Sequence, residues 1–218
     1  PDDLGRRPEI DENGSFPRKS FEDAVEAAHE YISAGDAFQI VLSRAVELQT
    51  DVDPFEIYRS LRITNPSPYM GYLQGGGVIL VAASPEILCQ ARGRHVVNRP
   101  LAGTRRRGGT PEQDLINEDE LRGDVKENAE HAMLVDLGRN DLGRVCEPGT
   151  VKVTKQAQVE RFSHVMHLSS TVEGTLRADL DAWDLLAATL PVGTVSGAPK
   201  IRAMQIIDEL EPQPRGPF

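Results

Sequence analysis

Two glutamates, Glu127 and Glu130, stand in the stretch Lys126-Glu127-Asn128-Ala129-Glu130-His131. Three positions apart on a helix, they share one face. Paired carboxylates there offer the hard oxygen ligands that Mg²⁺ takes. Spacing alone reads first as a solvated acidic face. The next residues change that reading, because Ala132, Met133, Leu134, Val135 and Leu137 make the following turns largely apolar. A buried helix that opens with two glutamates needs a cation or an ion-pair partner, since an unpaired buried charge is costly.

Three further stretches carry chemically useful side chains. Pro100–Gly109 combines glycines with Arg105, Arg106 and Arg107. Glycine lets a ligand approach the main chain, and arginine suits carboxylates and phosphates. Aromatic interleaving is absent, so a small anion or a solvated basic loop fits better than RNA. Gly193–Lys200 leads into a helix, and such a start attracts anions. It is not a P-loop, which needs Gly, Lys and Ser or Thr at 198–200, where Ala198, Pro199 and Lys200 stand. A carboxylate-binding turn remains open. His164 and His167 fall on opposite faces of any strand they share, which argues against a common metal and leaves one free for acid–base work. Asp136–Arg139 and Asp141–Arg144 form a near-repeat around Asn140, read as a helix C-terminus with a charge network rather than an anion contact. No Ser–His–Asp or Cys–His set can be assembled.

The elements that must position these groups are legible in outline. Ser20 is a plausible N-cap for a helix with Phe21, Val25, Ala28 and Ile32 at helical spacing and Gly35 as its stop. Residues 37–49 are strand-like, with Phe38, Ile40 and Leu42 on one face. Asp53-Pro54 opens a helix that Asn65-Pro66-Ser67-Pro68 breaks. Strands are expected near 69–74, 77–83, 86–92 and 95–102. Helix follows over 112–139, broken near Gly123, then a second β region over 151–176. A helix at Asp181–Leu190, a loop at Gly193–Ala198 and a final helix at Pro199–Leu210 close the order. Ile201, Met204 and Ile207 are assigned to the buried face of that last helix. Strands and helices come in blocks, which favours α+β. Residues 1–19 read as an incoming linker and 20–218 as one domain.

Composition bounds the function. Among 218 residues, 24 are basic and 34 acidic, a net charge of −10 that argues against general nucleic-acid binding. The longest strongly apolar run, Val78–Ala83, is far short of the ~20 residues of a membrane helix. Cys89 and Cys146 form neither a disulfide framework nor a zinc pattern. No cationic, apolar leader opens the chain, so a cytoplasmic location is expected. The start at Pro1 and the Pro/Gly-rich end suggest a piece of something longer.

Taken in order, Gly35–Arg44, Asn65–Met70, Ser84-Pro85-Glu86, Arg99–Gly108, Lys126–Arg144, His164–Ser169 and Gly193–Met204 resemble the motifs of the chorismate-utilising enzymes. The resemblance implies a fold of stacked β-sheets flanked by helices and a Mg²⁺-dependent site for chorismate. Position by position, it assigns Glu130 as a Mg²⁺ ligand with Glu127 beside it. Gly103, Thr104 and Thr194 become substrate contacts, Glu86 the acid for the departing 4-hydroxyl, and His167 the group linked to pyruvate loss. Phe218 stands where the family's RG-x-Y segment usually places a substrate-contacting tyrosine, so that hydroxyl is missing. Pro68, Tyr69 and Met70 match residues that help bind tryptophan as feedback inhibitor. Water-using members carry a lysine where this chain has Gln39, and one aminodeoxychorismate-forming type carries a lysine at Ala102. Neutral residues at both imply ammonia as nucleophile, delivered by a glutamine amidotransferase partner, with anthranilate and pyruvate as products. The alternatives are the folate-branch aminodeoxychorismate reaction and a non-catalytic chorismate- or tryptophan-binding fragment. Family members continue past the RG-x-Y segment with a substrate arginine and a second pair of metal-shell glutamates. The chain is therefore expected to be truncated on its C-terminal side and, alone, weak or inactive.

Overall fold

The computed structural model describes residues 16–216, which fall into two compact units, 16–83 with 195–216 and Ser84–Thr194. Phe218 and most of the expected linker lie outside the described residues.

In the first unit, α1 spans Arg18–Ser33 and starts two residues before Ser20, with Pro17 at the N-cap and no side-chain cap. A hydrophobic staple replaces the cap: Phe16, just before it, is buried and packs edge-on against Phe21 at 5.3 Å. Ala24 and Ala28 face inward, and Gly35 takes φ +85° just past the helix end. The expected long strand shrinks to β1, Gln39–Ile40, paired antiparallel with β9, Gly197–Ala198. Alternation marks strand-competent residues, but a ladder exists only where a partner strand lies alongside, and Phe38 stays 78% exposed. The helix α2 spans Pro54–Thr64, capped by the Asp53 carboxylate on the Phe55 N–H. The strands β2, Tyr69–Gly75, and β3, Val78–Ser84, form a hairpin over Gly76-Gly77, both at positive φ.

The second unit holds the core. Its strands are β4 (Ile87–Arg92), β5 (His95–Arg99), β6 (Leu101–Arg106), β7 (Lys152–Arg161) and β8 (Val165–Thr175). The central strand is β8, with β5 and β6 end to end along one edge, β7 along the other, and β4 outside β5. Thus much of the stretch read as a basic loop is strand. Pro100 does not end the edge, because the Ser170 N–H donates to its carbonyl. His164 lies in the turn between β7 and β8 rather than on a strand with His167.

Two helices cover this sheet, α3 (Pro111–Gly123) and α4 (Val125–Gly143), separated at Asp124. Leu121 of α3 joins Met166 and Leu168 in one apolar cluster. Val135 and Leu142 of α4 join Val96 and Val172 in another. The helix α5 spans Ala182–Thr189 with a reciprocal capping box between Asp181 and Asp184. A four-residue turn, α6 (Gly193–Ser196), replaces the expected loop before β9. The last helix, α7, spans Lys200–Leu210, and its inward face is Lys200, Ala203, Ile206 and Ile207. Ile201 and Met204 face out, since periodicity reveals a stripe but not which side the neighbouring backbone occupies. Here Ala203 backs onto Gly197. The architecture is α+β, and no described helix is long and apolar enough to cross a membrane.

Candidate active site

A bulge in β6 is the centre of the site. Register against β8 shifts between Ala102 and Thr104, and Gly103 takes φ +69°, a conformation that disfavours a side chain. The freed Gly103 carbonyl accepts a hydrogen bond from His167 Nδ1 at 2.9 Å, with Thr104 Oγ1 3.1 Å from the same nitrogen. A carbonyl only accepts, so Nδ1 carries a proton, and Nε2 is the nitrogen that holds the lone pair whenever the ring is neutral. The Phe162 and His167 rings meet edge to face, with centroids 5.6 Å apart. Arg107 holds Phe162 by its carbonyl at 2.8 Å and forks onto Asp114, whose carboxylate also accepts the Gly108 N–H at 2.6 Å. The Arg107 guanidinium and that N–H hold Asp114 below the usual carboxylate range.

The other side of Gly103 faces α4. A Cβ added there would stand 2.9 Å from Leu121 Cδ1 and 3.2 Å from Glu127 Oε2. Glu127 belongs to the first turn of α4, where the Asp124 carboxylate caps its N–H at 3.1 Å. Arg105 of β6 binds Asp124 at 2.7 Å and lies 3.7 Å from Glu127. The Glu127 N–H and then Arg105 keep Asp124 below its ordinary pKa. Glu127, His131, Val135, Gly138 and Leu142 lie on one stripe of the helix, and all but Glu127 are buried. The two glutamates therefore extend the core-facing surface of α4 past the apolar part. Glu130 is half-buried, one residue before His131.

Glu86 follows the short turn in which Ser84 Oγ both accepts the Glu86 N–H at 3.2 Å and donates to its carbonyl at 3.0 Å. Thr194 Oγ1 donates to the Glu86 carboxyl at 3.3 Å, and the Leu101 N–H does so as well. Burial outweighs these bonds and pushes the carboxyl above its ordinary pKa. Leu101 opens β6, so Glu86 and Thr194 meet the strand that carries Gly103 and Thr104. A Cβ on Gly193, beside Thr194, would press on the Leu137 side chain of α4.

The residues brought together are thus Glu86 with Thr194, and Gly103 with Thr104, His167 and Glu127. Pro68, Tyr69 and Met70 sit at the start of β2 in the other unit, the first two exposed. Arg139 pairs with Asp136 at 3.1 Å on the exposed side of α4, which fits the charge-network reading of that near-repeat. Ala102 is buried one residue before the bulge. Sequence reasoning passed over His131 and Asp124, and read Arg105 as a contact for a small anion, whereas it pairs with Asp124. The signal for His131 was present, since it lies one helical turn after Glu127 on the same face.

The donor set suits Mg²⁺, a hard cation that is bound through one or two carboxylates together with waters and substrate oxygens. Glu127 and Glu130 supply such carboxylates, and among the described residues no group of three or more His, Cys, Asp or Glu is placed to hold a metal ion.

The sequence pattern of the chorismate binding enzymes matches residues 3–218. The chain belongs to that family. The chain is 59% identical to anthranilate synthase alpha subunit 1, chloroplastic, of Oryza sativa subsp. indica, over 95% of its own length and 36% of the relative's. It is 61% identical to anthranilate synthase component 1 of Streptomyces coelicolor, over 91% of the chain and 39% of the relative. The crystal structure of anthranilate synthase component I from Streptococcus pneumoniae TIGR4 superposes with a TM-score of 0.85 at 45% identity, covering 96% of this chain and 46% of that one. The menaquinone-specific isochorismate synthase of Escherichia coli shares the fold, with a TM-score of 0.82 at 24% identity over 96% of this chain and 48% of that one. The chain thus spans less than half the length of each of these relatives.

Proposed function

We propose that this chain carries the chorismate site of an anthranilate synthase large subunit. The reaction is chorismate plus ammonia to anthranilate, pyruvate and water, with ammonia drawn from glutamine by an amidotransferase partner. The observation that carries this reading is the 59–61% identity to relatives named as anthranilate synthase along nearly the whole chain. Gln39 and Ala102 support it, since neither offers an amine that could act as base or nucleophile.

Each side chain then has a role that its surroundings suit. Glu86, whose neutral form burial favours, gives its proton to the 4-hydroxyl as it departs, while Thr194 orients the carboxyl. Ammonia adds to the ring. His167, with Nδ1–H spent on Gly103 and a lone pair on Nε2, takes the ring proton whose loss accompanies release of pyruvate. The backbone at Gly103 and the Thr104 hydroxyl contact substrate at the bulge. Glu127 and Glu130 are the groups that would hold Mg²⁺, and the ion when bound supplies positive charge against the ring carboxylate. Pro68, Tyr69 and Met70 contribute to a tryptophan site in the same reading.

The test is anthranilate fluorescence from the intact protein with chorismate, Mg²⁺ and ammonium. Fluorescence that rises with each component supports the assignment. Accumulation of 4-amino-4-deoxychorismate without anthranilate moves the protein to the folate branch.

A further inference from the structure

His131 is buried to 3% exposure in the middle of the core-facing stripe of α4. Its Nε2 shares a hydrogen bond of 2.6 Å with Ser170 Oγ of β8, and the same oxygen accepts the Ala157 N–H at 2.9 Å. Ala157 sits in the bulge of β7 at φ +46°. One buried serine thereby ties a helix, the central strand and a bulged neighbour. The other ring nitrogen, Nδ1, is buried with no partner among the described residues. A half-satisfied polar ring is a costly way to fill a core position that leucine would fill without penalty. What the imidazole adds is direction. Apolar packing is non-directional and tolerates small rotations and slides of a helix, whereas a short hydrogen bond to the sheet does not. Glu127 is one turn away and Glu130 is adjacent.

We propose that His131 is a positioning residue, whose bond to Ser170 sets the rotation and height of α4 over the sheet and so fixes where Glu127 and Glu130 project. The proposal rests on the reading of those glutamates as the metal-holding pair.

The test is Mn²⁺ binding to the intact protein, followed by the electron paramagnetic resonance of the free ion, without substrate or turnover. Wild type binds, and the double variant E127Q/E130Q does not. H131L and S170A each weaken binding by about 10- to 100-fold, the usual cost of losing a group that orients a ligand. H131L/S170A is no weaker than the weaker single variant, because both remove one bond. H131Q, whose amide reaches the same point, keeps most of the affinity. Circular dichroism checks folding, and S170A carries the test if H131L does not fold. Wild-type affinity in folded H131L and S170A, with E127Q/E130Q inactive in binding, overturns the proposal and leaves the metal reading standing. No Mn²⁺ binding by wild type, or binding by E127Q/E130Q equal to wild type, overturns both.

Discussion

At the scale of single residues, protonation decides what the site can do. Burial raises the pKa of Glu86, so its neutral form is favoured by folding. The stability linked to this carboxyl is complete while it is protonated in both states, and it is lost as pH rises from the ordinary carboxylate range through the raised folded value. E86Q cannot ionise. Melting temperatures measured against pH should fall for wild type relative to E86Q across that window, and parallel curves would refute the buried-acid assignment. In turnover, E86Q should lose anthranilate formation, whereas a variant with full turnover would remove Glu86 from the mechanism. His167 is held by its Nδ1, which leaves Nε2 for the proton. H167F should fold and form anthranilate about 10²–10⁴-fold more slowly, the usual worth of one general acid–base group, as read by fluorescence. A rate near wild type would assign His167 a packing role.

At the scale of elements, close backbone approaches set the geometry. Gly138 lets α4 lie against β5, because an added Cβ would collide with Asn98 Oδ1. The Asn98 amide is already fixed by donating to the Leu88 carbonyl at 2.7 Å, so it has nowhere to retreat. Gly138→Ala should cost about 1–3 kcal/mol, the usual cost of overpacking, by urea denaturation; an unchanged midpoint would show that the helix shifts freely. Arg107 joins the end of β6, the start of α3 and the β7–β8 turn through Asp114 and Phe162. The Asp114 pKa is lowered by Arg107 and Gly108, so its stabilisation is present above the unfolded pKa and fades as pH falls through the folded one. D114N should therefore be less stable than wild type at neutral pH, with the gap closing in acid. A gap that stayed constant with pH would mean that charge plays no part. These elements also show how far the sequence could be read. Breaks near Gly123, the hairpin strands and the helix beginning near Asp181 rest on local chemistry and could be placed. The length of β1 and the inward face of α7 depend on partner backbone distant in sequence, and both were misjudged.

At the scale of the whole molecule, buried apolar side chains concentrate in Ser84–Thr194, around β8. Residues 16–83 carry many exposed large apolar side chains, including Phe38, Phe55, Ile63 and Leu73. Hydrogen exchange should accordingly be slowest at amides of β8 and of the core-facing turns of α4, and fast at β1 and the β2–β3 hairpin, since protection follows packed, paired backbone. Equal protection in both units would contradict this distribution. The proposed site residues from Glu86 to Thr194 all belong to the better-packed unit, which suits a site that needs fixed geometry.

By itself the sequence singled out the candidate site residues and determined the order of most elements that hold them, because caps, prolines, glycines and periodicity act over a few neighbours. It also identified the family, through an ordered set of motifs spread over most of the chain. Only the tertiary structure decided that Gly103 is a bulge, that its carbonyl fixes the His167 tautomer, that Arg105 and Asp124 hold the start of α4, and that His131 reaches Ser170. Each of these joins residues far apart in the chain. Register, burial and hydrogen-bond partners are properties of the packed sheet and helices, and no local pattern encodes them.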